Sequence, residues 1–139
     1  MRWGMLGGLA IGVLMLVTCG GTNSKPVENL VAGHDVSRFR LTSIRGIRDG
    51  DQLDVRAVYG DGTAELRVAL RFRVGVPTRL ENGTWTGFAS GGSVRERTVT
   101  FLGGQSGPPS LGGRFDLLGP DNVPRYRISI PLQPLRDRL

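Results

Sequence analysis

Along residues 64–74 apolar and polar side chains alternate without a break. Leu66, Val68, Leu70, Phe72 and Val74 fall on one side, and Glu65, Arg67, Ala69, Arg71 and Arg73 on the other. Side chains of a strand point in turn to its two faces, so the pattern predicts a half-buried strand with a charged outer face. Leu53, Val55, Ala57 and Tyr59 alternate in the same way. Gly60-Asp61-Gly62 between the two runs supplies a hairpin turn, where glycine meets the positive φ that tight turns commonly require. A second hairpin is expected at Asn82-Gly83, between Arg79-Leu80 and Trp85. Further strands are expected at residues 39–44, 97–102, 114–118 and 126–132. In the last of these, Tyr126, Ile128, Ile130 and Leu132 share an inward face opposite Arg125, Arg127 and Ser129.

No sustained three- or four-residue apolar spacing competes with this reading, and the 22 glycines and 8 prolines supply turns between short strands. About seven such strands predict an all-β domain over residues 38–139. The expected form is a small antiparallel β-sandwich, Ig-like or transthyretin-like in general shape. A membrane-spanning barrel is not expected, because the outer face is rich in arginine where a barrel needs an apolar band.

The first residues follow another rule. Arg2 precedes an uncharged run over residues 5–17, thirteen residues long, where a spanning helix needs about 20. It fits the apolar region of a secretory signal peptide. The run ends near Cys19, the only cysteine of the chain. Leu16-Val17-Thr18-Cys19-Gly20 resembles the lipobox of bacterial lipoproteins, with Thr18 where Gly, Ala or Ser is usual. That resemblance implies a signal peptide at residues 1–18, cleavage before Cys19, a diacylglyceryl group on its sulfur and acylation of the new amine. Gly20 after the cysteine favours, by the same resemblance, the outer membrane facing the periplasm where the cell has two membranes. Residues 19–37 are then a lipidated N-terminus and flexible tether, with a reach of roughly 20–25 Å.

Charge adds a candidate surface. The chain carries 18 basic and 12 acidic residues, and all the basic ones except Lys25 are arginine. Arg67, Arg71 and Arg73 lie on one predicted strand face and Arg125 and Arg127 on another. The guanidinium fork suits phosphate, carboxylate or acidic glycan, and a solvated face is the plainer reading. Trp85 and Phe88, either side of Gly87, are candidates for an aromatic docking platform or for core packing around a bulge. No aromatic-interleaved basic motif points to nucleic acid.

Catalytic signals are weak. His34 is the only histidine and sits in the expected tether, which leaves no Ser-His or Cys-His pair within the domain. Glu65, Glu81, Glu96 and Asp116 show no spacing that favours a carboxylate pair over strand-surface charge. Asp49-Gly50-Asp51, Asp54 and Asp61 read as turn residues, because the full calcium-loop pattern is absent. No cofactor or metal motif is present. The expectation is a non-catalytic, lipid-anchored envelope protein, a structural or docking module with an envelope protein as partner. The alternative is a binder of an anionic glycan or lipid headgroup through its arginine-rich strand face.

Overall fold

The alternating runs fold as read. Gln52–Gly60 and Glu65–Arg73 pair antiparallel, with Leu53 opposite Phe72, Val55 opposite Leu70 and Ala57 opposite Val68, all six side chains buried. The turn joining them holds Gly62 at φ 94°, and Asp61 Oδ1 accepts hydrogen bonds from the Thr63 and Ala64 N–H groups. In order along the chain the strands are β1 (Val27–Asn29), β2 (Arg40–Asp49), β3 (Gln52–Gly60) and β4 (Glu65–Arg73). They are followed by β5 (Arg79–Gly87), β6 (Ser90–Leu102), β7 (Ser110–Leu118) and β8 (Pro124–Pro134). The computed structural model describes residues 25–103 and 109–135. The expected signal peptide and Cys19 lie outside them.

The architecture is all-β and antiparallel throughout. One eight-stranded sheet runs in the order β1-β8-β7-β6-β5-β4-β3-β2. The expected sandwich of about seven strands gives way to a single sheet that curls over its own core. Each strand from β2 to β8 pairs with its sequence neighbour, while the connection from β1 to β2, residues 30–39, passes from one edge of the sheet to the other. The first residues of β6 pair with β5 and the remainder with β7, which carries the sheet round. The two halves meet inside. Phe72 of β4 sits edge-on to Phe115 of β7 at 5.8 Å, Trp85 of β5 meets Tyr126 of β8 at 5.7 Å, and the Tyr59 hydroxyl of β3 donates to the Ser129 carbonyl of β8 at 2.8 Å.

Two local readings are corrected. Asn82-Gly83 is not a turn but the middle of β5, and its glycine answers to packing. A Cβ on Gly83 would lie 2.8 Å from Val94 Cβ and 3.1 Å from Leu70 Cδ2. The β5–β6 turn is Phe88-Ala89, both at positive φ. Leu132 is 51% exposed instead of inward, because the β7–β8 register slips between Leu111 and Gly113 and turns the following residues over. A one-residue slip exchanges the two faces of a strand.

The expected tether also contributes to the fold. Val27 in β1 is buried opposite Ile128, the Pro26 carbonyl accepts from Ser129 N, and Leu30 N donates to the Arg125 carbonyl. Val36 and Phe39 are buried beyond it. Scattered single apolar residues in a polar stretch show no period, yet each fills a place on the edge or end of the curled sheet.

Candidate functional site

Outward residues of β4 stand in a row across the sheet from those of β3 and β5, and that register decides what the arginines meet. Arg71 lies opposite Asp54 and pairs with it at 3.0 Å. Arg73 reaches Glu81 at 2.8 Å and Asp51 at 3.1 Å, and Arg67 pairs with Glu65 on its own strand at 2.9 Å. The three arginines do share one outer face, but each is matched by an acid. Exposed pairs of this kind contribute about 0–1 kcal/mol apiece to stability. They leave the row close to neutral. Beside it, Arg45 of β2 faces Arg56 of β3 directly, and neither has an acidic partner within salt-bridge distance among the described residues.

Of the two aromatic candidates, Trp85 belongs to the interior and Phe88 packs against its edge. Trp85 is 2% exposed, and its Nε1–H donates to the Leu118 carbonyl at 2.7 Å. Phe88, half-buried in the β5–β6 turn, stacks on His34 with ring centroids 4.1 Å apart and packs near Phe39 and Tyr126. Phe88 and Ala89 have φ of 52° and 57°, a region that costs non-glycine residues about 1–2 kcal/mol each. The aromatic cluster around Phe88 offsets that strain. His34, expected in a solvated tether, thus closes over the turn.

A second arginine cluster lies on the outer face of the other half. Asp116 on β7 is 1% exposed although it points outward, because arginine side chains cover it. Its Oδ1 accepts from Arg127 Nε at 2.7 Å. Its Oδ2 accepts from Arg127 Nη2 at 3.4 Å and from Arg95 Nη2 at 3.3 Å. Burial pulls the Asp116 pKa upward, but the hydrogen bonds from Arg127 and Arg95 and the charges of Arg127 and Arg97 outweigh it. The carboxyl is held below its ordinary value. Sequence reading placed Arg127 outward with Arg125 but missed its partners. Arg125 instead pairs with Asp121 at 3.2 Å, across the β7–β8 turn.

β6 carries a bulge here. Glu96 pairs with Phe115 and Thr98 with Arg114, which leaves Arg97 as the extra residue. Arg97 and Thr98 are consecutive yet both exposed, since a bulge re-aims side chains and breaks strict alternation. Glu96, Arg97, Thr98, Arg114 and Arg127 line a polar depression of about 200 Å³. Thr98 and Arg114 also border a larger, mainly apolar depression of about 460 Å³, whose other walls include Pro26, Leu41, Ile130 and Leu132.

The remaining acids considered from sequence are committed elsewhere. Glu96 pairs with Arg79 at 3.0 Å and accepts from Leu80 N at 2.7 Å, and Asp51 and Asp54 hold arginines. Among the described residues no group of three or more metal-ligating side chains converges. In comparisons with protein-family models, curated proteins and solved structures, the chain matches none of them.

Proposed function

We propose that this chain is a lipid-anchored, non-catalytic envelope protein whose curled β domain docks a partner protein of a cell-envelope complex along the open edge of β2. The anchor is Cys19, on the lipobox resemblance, and the outer membrane facing the periplasm is its place in a two-membrane cell. The observation that carries the docking reading is the sheet's asymmetry. Among the described residues one edge, β1, is three residues long, whereas the other, β2, runs ten residues and ends the strand order. An unpaired edge presents a row of N–H and C=O groups on which an extended segment can pair.

The chemistry of that edge describes its partner. Like charges directly opposite on a sheet destabilise it, and Arg45 faces Arg56. An added strand with an acidic side chain beside Arg45 relieves this repulsion. A second reading, capture of an anionic glycan or lipid headgroup, draws its support from Arg97 and Arg114 and not from the paired Arg67, Arg71 and Arg73.

Two measurements test these statements separately. Intact mass of the protein taken from membranes is expected to show a chain beginning at an acylated Cys19; an unmodified cysteine or another start removes the anchor. For docking, photo-crosslinking residues at Ile47 on β2 and at Ala69 on β4 are compared in cells. Adducts are expected at Ile47 alone, and Arg45→Glu is expected to weaken them while shifting stability by less than about 0.5 kcal/mol. Equal adducts at both positions, or adducts indifferent to Arg45→Glu, overturn docking on β2.

A further inference from the structure

We infer that the outer face of β6, β7 and β8 binds an anionic phospholipid. Arg97, Arg114 and Thr98 hold the phosphate, and the adjoining apolar depression takes the lipid's apolar part. Around Asp116 four guanidinium groups, those of Arg95, Arg97, Arg114 and Arg127, face two carboxylates, Asp116 and Glu28. Asp116 is occupied by Arg127 and Arg95. Arg97 comes no nearer to it than 4.0 Å, and Arg114 stands 3.8 Å from Glu28. Both are outside hydrogen-bond distance of those acids. Their side chains are 50% and 46% exposed and border the same polar depression. Two forks with open donors and a hydroxyl, set around a hollow of about 200 Å³ whose one acid, Glu96, is engaged by Arg79 Nε and Leu80 N, match the two non-bridging oxygens of a phosphodiester and the single charge they share.

The neighbouring surface selects among phosphates. Thr98 and Arg114 are walls of both depressions, so a ligand phosphate between Arg97 and Arg114 sits at the rim of the apolar hollow of Pro26, Leu41, Ile130 and Leu132. Leu132 there is 51% exposed. An amphiphile occupies both hollows, whereas inorganic phosphate leaves the apolar one to water. Pro26, at this rim, immediately precedes β1. Cys19 is seven residues earlier, a span of at most about 25 Å when extended. The inference rests on the anchor reading only for this nearness to a bilayer.

The test uses the protein as purified from membranes in a neutral detergent. Calorimetry follows its binding to micelles doped with phosphatidylglycerol, to micelles doped with phosphatidylcholine, and to inorganic phosphate. Phosphatidylglycerol is expected to bind at least tenfold more tightly than either of the others. Arg97→Glu with Arg114→Glu is expected to lose that binding tenfold or more, and Arg97→Gln with Arg114→Gln to lose it in part, with unchanged circular dichroism. Retained binding in the charge-reversed variant overturns the site. Inorganic phosphate binding as tightly as the lipid overturns the lipid as ligand, as does equal binding of the two lipids. All variants share one N-terminus, and its mass is read independently, so loss of the anchor reading leaves this result intact.

Discussion

Trp85→Ala is expected to destabilise the domain by about 3–5 kcal/mol, the range for truncating a buried aromatic. The side chain is 2% exposed, packs edge-on to Tyr126 at 5.7 Å, and satisfies the Leu118 carbonyl through Nε1. The substitution therefore removes packing between the two halves of the curled sheet and also leaves a carbonyl without its donor. Trp85→Phe separates these effects. It keeps a ring but loses the N–H, and is expected to cost about 1–3 kcal/mol, the penalty of an unmatched buried acceptor, with the smaller ring adding to it. Urea denaturation midpoints with unchanged slopes measure both losses. The contrary result, a stable Trp85→Ala protein that no longer captures its partner, would return Trp85 to the docking surface.

That test bears on how far the sequence reaches. Strict alternation needs no tertiary information, and the inward faces of β3 and β4 follow from it residue by residue. The turns at Gly50 and Gly62 were equally legible, because positive φ selects glycine. What the pattern conceals is every single-residue slip. Extra residues at Glu81 and Arg97 shift the parity of β5 and β6, and the β7–β8 slip exposes Leu132. A bulge leaves no consistent mark on composition. The Asn82-Gly83 pair illustrates the opposite error. The dipeptide has the right chemistry for a turn, but Gly83 is needed where Val94 and Leu70 crowd the backbone.

The candidate surface divides in the same way. That Arg67, Arg71 and Arg73 point outward could be read from their spacing. That they are neutralised could not, because Arg73 finds Asp51 across 22 positions of chain and Arg71 finds Asp54 across 17. Partners at that separation are set by register alone. Asp116 was visible as one of several strand acids and Arg127 as an outward charge on the last strand, while nothing in the pattern marked Arg95, Arg97 and Arg114 as its neighbours. Only the pairing of β6, β7 and β8 gathers them into one cluster. The eight-stranded curl itself depends on β1, three residues with one buried valine, too short to announce itself.

Asp116→Asn tests that cluster in the folded protein. Removing one member of a buried ion pair leaves the others uncompensated, at a cost of about 3–5 kcal/mol. The lower end is expected here, since Arg95 and Arg97 are about half exposed and water screens them. The pH dependence has a definite sign. Asp116 has its pKa lowered in the folded state, so the folded protein holds the proton less tightly than the unfolded chain. Its contribution is complete above the ordinary aspartate range near 4, and disappears as pH falls through the depressed folded value. Asp35 beside Ser37, Asp61 under the Thr63 N–H and Asp121 under the Val123 N–H are also lowered, but they lie exposed in turns and loops. They remain in the variant and give both proteins a common acid slope. The difference in unfolding free energy between wild type and Asp116→Asn is therefore expected to be largest and flat near neutrality, and to narrow below about pH 4. A difference that stays constant into strong acid would show that Asp116 contributes as a neutral hydrogen-bond acceptor and not as a charge.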